Sequence, residues 1–104
     1  MQYVIAYITT RDHTEAKKIG EAVVKERLAA CANIIPVIES IYWWKGKLER
    51  NNESMLLLKT KKSLASKLIK RIKEIHSYEV PCVDIIPMTE GNKDYFKWIE
   101  EVTR

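Results

Sequence analysis

In His76-Ser77-Tyr78-Glu79-Val80-Pro81 an imidazole and a carboxylate stand three positions apart, near enough in a loop to share one divalent cation, with imidazole suiting Cu, Zn or Ni. Two ligands do not complete a metal centre. The spacing places His76 in the last turn of a basic helix, where the C-terminal dipole favours a cationic imidazole. The plainer alternative is that His76 caps that helix, Tyr78 packs and Glu79 pairs with a nearby lysine.

Other chemistry finds less support. His13 and His76 are the only histidines; neither belongs to a nucleophile motif, and no Gly-rich loop follows a strand to cradle a phosphate. Thr9-Thr10-Arg11-Asp12 is a poor anion loop, and His13, flanked by charges at a helix start, is expected to be exposed and idle. The expectation is a protein that is not an enzyme. Cys31 and Cys82 are too few and too far apart for a disulfide framework or a metal knuckle, and read as free thiols of a reducing compartment.

The 104 residues carry 18 Lys+Arg against 14 Asp+Glu, a formal charge of +4. The excess is local: residues 59–74 hold seven basic residues and Glu74 alone, a net +6, and the rest of the chain is −2. That segment reads as the wet face of one amphipathic helix. A nucleic-acid reading would need aromatic residues on the third strand for bases to stack on, and Ser54-Met55-Leu56-Leu57-Leu58-Lys59 has none. No apolar run approaches the roughly 18 residues that span a bilayer, and Met1-Gln2-Tyr3-Val4 lacks the charged start of a secretory signal. A cytoplasmic protein with no nucleic-acid or membrane partner is expected.

The elements that must position these residues follow from periodicity. Tyr3–Ile8, closing on Thr9-Thr10, reads as a central strand. Asp12 and Glu15 mark a helix start, and Ala16, Ile19, Gly20 and Val23 give its apolar stripe to about Arg27. Cys31–Trp44 is a long strand in which Pro36 demands a sheet edge or a bulge. Lys45-Gly46-Lys47 makes a hairpin turn, and the return strand runs through Glu53 to Thr60. Thr60 is expected to cap a second helix with Leu64, Leu68, Ile72 and Ile75 on one arc. Ser77–Pro81 connects to a strand at Cys82–Ile86 closed by Pro87, and residues 91–104 hold a terminal helix with Tyr95, Trp98, Ile99 and Val102 on one side. The order β-α-β-β-α-β-α, in a single domain over 1–104, predicts an α+β, ferredoxin-like split βαβ sandwich. Its antiparallel sheet has the first and third strands in the middle, with a C-terminal helix added. The long edge strand and the open apolar face predict a closed homo-oligomer.

Five blocks in register, Leu28-Ala29-Ala30-Cys31-Ala32-Asn33-Ile34, Ser40-Ile41-Tyr42-Trp43-Trp44-Lys45-Gly46-Lys47, Leu58-Lys59-Thr60, His76–Pro81 and Asp94-Tyr95-Phe96-Lys97-Trp98-Ile99, resemble the CutA divalent-cation-tolerance family over essentially the whole chain. The resemblance implies ferredoxin-like subunits in a tight, PII-like homotrimer. It also implies a role in the response to copper and other metal ions, with a metal or small ligand held in clefts between subunits. The family's recurrent positions fall on Cys31, Tyr42, Trp44, Lys59, His76, Tyr78, Glu79, Pro81, Tyr95 and Trp98. On that basis the expected metal ligands are His76, Glu79, Cys31 and Cys82, holding Cu or Zn as the sole cofactor. Tyr42, Trp44, Lys59, Tyr78 and Tyr95 are expected to line the ligand cleft. Ser77 stands where the family commonly has Pro, and Cys82 after Pro81 adds a soft donor. Two further readings are a PII-like sensor of an anionic metabolite, using Lys59 and the basic end of the second helix, and a structural trimeric adaptor.

Overall fold

Residues 2–104 are described by a computed structural model, in which the elements run β1 (Tyr3–Thr10), α1 (His13–Lys25), β2 (Cys31–Trp44), β3 (Lys47–Lys61), α2 (Ala65–Ile75), β4 (Val83–Met88) and α3 (Lys93–Val102). The strands form one antiparallel sheet in the order β2-β3-β1-β4. The two most apolar strands therefore lie at its centre, as their sequences predict. Strand alternation sends Val4, Ala6, Ile8 and Thr10 of β1 and Ser54, Leu56, Leu58 and Thr60 of β3 to the helix side, where all are buried. Ile19 and Val23 of α1 and Leu68 and Ile72 of α2 close this core from above. Gly20 lets α1 lie directly on the sheet: a Cβ there would stand 3.1 Å from Ala32 Cβ and 3.3 Å from a Leu56 methyl.

On the opposite, open face stand Tyr3, Ile5, Tyr7 and Thr9 of β1 and Glu53, Met55, Leu57, Lys59 and Lys61 of β3. One end of this face is covered by α3. Phe96 stacks on Tyr3 with ring centroids 4.7 Å apart, Ile99 is fully buried, and Glu100 reaches Lys61 at 3.5 Å.

The β2–β3 hairpin extends far beyond the helices and gives the subunit a 44 Å long axis. Its tip is a two-residue turn in which Lys45 (φ 49°) and Gly46 (φ 79°) both take positive φ, the combination that matches the twist of a tight hairpin. Pro36 sits on edge strand β2, at a bulge between Ile35 and Ile38. Before the bulge the odd-numbered residues of β2 share the open face; after it Ile38, Ser40, Tyr42 and Trp44 do.

Several local expectations are corrected. Thr60 does not cap α2: it is fully buried in β3, its hydroxyl donating to the Leu28 carbonyl at 2.8 Å. The strand continues to Lys61, a 3-10 turn (Lys62–Leu64) follows, and α2 begins without a side-chain cap. His76 is the C-cap of α2 and lies outside its last turn. The first helix ends at Lys25, and Arg27 takes φ 61°. β4 starts at Val83 and passes through Pro87, which an edge strand tolerates. Asp12 does cap α1, accepting from the Glu15 amide at 2.8 Å. The Glu15 carboxylate, however, reaches beyond the cap to the amides of Arg11 (2.9 Å) and Ser77 (2.8 Å).

Candidate functional site

The uncovered end of the open face forms the floor of a groove of about 650 Å³, walled by the hairpin on one side and by the loop after α2 on the other. β1 contributes Tyr7 and Thr9, β2 contributes Ser40, Ile41, Tyr42 and Trp44, and β3 contributes Glu53. Ser77, Tyr78, Glu79, Val80 and Cys82 complete the rim.

The loop is fastened from below. The backbone N–H of Tyr78 donates to His76 Nδ1 at 3.0 Å, so that nitrogen is the acceptor and the proton sits on Nε2, which donates to the Thr9 carbonyl at 2.9 Å. Glu15, 5% exposed, holds the Ser77 amide. Burial pushes its carboxyl upward, but hydrogen bonds from Ser77 and the Arg11 amide outweigh this and leave it below the usual carboxylate value. Above the loop, the Tyr78 hydroxyl donates to Glu53 Oε2 at 2.6 Å. Burial, and then this bond to a carboxylate, drive the phenol well above its ordinary range. Asn51 donates to the Tyr42 hydroxyl at 2.7 Å, fixing the ring on the hairpin wall.

The four expected metal ligands are not brought together. His76 is buried with both ring nitrogens engaged. Glu79 points outward and pairs with Lys45 at 3.7 Å, both side chains 70% exposed. The Cys82 thiol donates to Asp84 at 3.4 Å and is pushed up to about 11 by burial and by that carboxylate, which leaves it protonated and a weak ligand and nucleophile. Cys31 pairs with Lys59 in the sheet register, nine residues before Ser40 on the same strand and so roughly 30 Å from the hairpin wall of the groove. Among the described residues no group of three or more His, Cys, Asp or Glu side chains could hold a metal ion. The donors of one subunit therefore do not fit a Cu or Zn centre. His76→Ala is expected to leave Zn²⁺ and Cu²⁺ affinity unchanged in a calorimetric titration; a loss of about tenfold, typical of a removed metal contact, would restore the imidazole as a ligand.

The expected cleft residues divide in two. Tyr42, Trp44 and Tyr78 line the groove. Lys59 and Tyr95 stand with Cys31 at the other end of the open face, where the ammonium lies 5.5 Å from the Tyr95 ring centroid and the Tyr95 hydroxyl is 3.4 Å from Cys31 Sγ. That contact, with burial, raises the Tyr95 phenol to about 12. Glu53, 7% exposed at the centre of the groove, is absent from the sequence-based site. Its signal was available: it is an acid of the same strand parity as Met55 and Leu57, placed where the polar hairpin passes into an apolar run.

A family model described as CutA1 divalent ion tolerance protein matches residues 4–102. The chain is 39% identical over 101 residues to "Protein CutA 1, chloroplastic" of Oryza sativa subsp. japonica, covering 97% of this chain and 57% of that one, so it spans little more than half the length of the plant relative. It is 42% identical to the "Divalent-cation tolerance protein CutA" of Pyrococcus horikoshii, covering 97% and 98% of the two chains. Its fold is similar to that of the periplasmic divalent cation tolerance protein CutA from Archaeoglobus fulgidus, with a TM-score of 0.95 at 34% identity, over 98% of this chain and 99% of that one.

Proposed function

The chain belongs to the CutA1 divalent ion tolerance family, and from that premise we propose that it acts in tolerance of copper and other divalent cations as a non-catalytic homotrimer, each subunit binding a small ligand in the Tyr42–Tyr78 groove. The observation that carries this reading is the hairpin. One of its faces walls the groove, the other exposes the paired Trp43 (74%) and Leu48 (49%), and its β2 edge is unpaired, with Val37 (66%) exposed at the bulge. A free edge with apolar side chains of this size is a surface for another copy, and closing it would make the groove a cleft between subunits. Binding suits the groove better than catalysis, because its thiol is protonated and its buried carboxylate is already bonded to a phenol. The free thiols Cys31 and Cys82 suit a reducing compartment and support a cytoplasmic location, although the names of relatives place one in the chloroplast and one in the periplasm.

Sedimentation equilibrium is expected to give a mass three times 12.2 kDa, and Trp43→Glu is expected to reduce it. A wild-type protein sedimenting as a monomer would overturn the assembly.

A further inference from the structure

We propose that the groove is a recognition site for a small organic cation carrying an ammonium head; this deepens the reading of the groove as a ligand cleft and rests on it. Although the chain is +4 overall, the residues lining the groove include no Lys, Arg or His. They include two carboxylates, Glu53 and Glu79, and the rings of Tyr7, Tyr42, Trp44 and Tyr78. Rings around a carboxylate in a partly desolvated pocket attract a cation twice, through the ring quadrupole and through the charge. Glu53 is the deep charge. One of its oxygens accepts the hydrogen bond from the Tyr78 hydroxyl, and the other, Oε1, takes no hydrogen bond from the described residues.

The rim already displays this recognition with a cation of the chain's own. The Lys45 ammonium stands 5.5 Å from the Trp44 ring centroid and 3.7 Å from the Glu79 carboxylate. One step deeper, the same combination of carboxylate and aromatic rings has no cation from the described residues. The residues that line the groove offer an anion no cationic partner: Lys45 on the rim is already paired with Glu79, and Lys59 lies six residues from Glu53 along β3. A hard divalent ion would find one deep carboxylate where it needs about six oxygens. The volume of about 650 Å³ is that of a small-molecule site.

Tetramethylammonium chloride separates the possibilities when titrated by NMR into the intact protein at constant ionic strength, beside neopentyl alcohol, a neutral molecule of similar size with a tert-butyl head, and inorganic phosphate. Saturable shifts at Tyr7, Tyr42 and Tyr78 with tetramethylammonium, about tenfold tighter than with the alcohol, are expected. Glu53→Gln and Trp44→Leu should each weaken that binding. Lys45→Ala should strengthen it, because it frees Trp44 and Glu79 from a competing ammonium; a merely structural role for Lys45 would not produce a gain. If the alcohol or phosphate binds in the groove as tightly as the cation, or if Lys45→Ala weakens binding, the cation assignment falls and the ligand cleft stands. If none of the three probes perturbs the groove, both fall.

Discussion

Leu56→Ala is expected to cost about 3 kcal/mol, within the ~2–5 kcal/mol range for truncating a buried leucine, and to lower the urea midpoint by about 1 M or more. Leu56 is fully buried on central strand β3, paired with Ile8 on one side and Ile34 on the other, with the Gly20 backbone of α1 directly above. Two of its neighbours are locked by the sheet ladder and the third is the backbone of α1, so the cavity has no flexible segment to fall into it. Single-domain stability is only about 5–15 kcal/mol, and this one truncation removes a large share. A loss below about 1 kcal/mol would show that α1 settles onto the sheet when the side chain is removed.

Glu15→Gln is expected to be the most damaging polar substitution, by about 2 kcal/mol, because hydrogen bonds to a charged group contribute about 1.5–3 kcal/mol. Its carboxylate joins three places: the residue before the α1 cap, the helix itself and the Ser77 amide of the groove loop. Glutamine keeps one acceptor and turns an NH₂ toward an amide donor. The pH dependence carries its own sign. The folded-state carboxyl is held below its ordinary value, so its contribution is fully present above the unfolded-state value of about 4.3 and is lost as pH falls through the folded value. Urea melts of wild type from pH 6 to pH 3 should therefore show a steeper acid loss than those of Glu15→Gln. Parallel curves would mean that Glu15 is not the group responsible. The 77–82 loop should also lose amide protection in the variant, since one of its fastenings is gone.

The fold was legible because each of its signals is local. Four consecutive apolar residues at Met55–Leu58 mark a central strand, Pro36 marks an edge, and Gly46 after Lys45 marks a turn that needs positive φ; the strand order β2-β3-β1-β4 agrees with these. A local signal misleads where burial outweighs it. Thr60 has the chemistry of a helix cap, yet the strand pairing with Val4 carries it into the core, and its hydroxyl goes to Leu28 across 32 residues of sequence. The site was legible in part. Tyr42, Trp44 and Tyr78 reach one groove, but whether His76 could serve a metal depends on the Thr9 carbonyl and the Tyr78 amide, and no spacing within His76–Glu79 reveals that the ring is fully bonded. The role of Glu53 is hidden from its own segment, because its partner, Tyr78, is 25 residues away.

The bulge at Pro36 has a consequence for how this protein can vary. It inserts a half-step into a two-residue rhythm, so the inner part of β2 and its outer part are in opposite phase. The opposite strand has no such irregularity: β3 runs unbroken from Lys47 to Lys61, and the turn holds Trp44 against Lys47, so each outer residue of β2 takes the face of its β3 partner. Pro36 and Val37 together stand opposite Ser54 alone, and loss of either one would close the bulge while leaving Tyr42 and Trp44 opposite Glu49 and Lys47, on the groove side. The bulge is thus one residue of slack, where a deletion in β2 can be absorbed without exchanging the wall that faces the groove for the surface left to another copy.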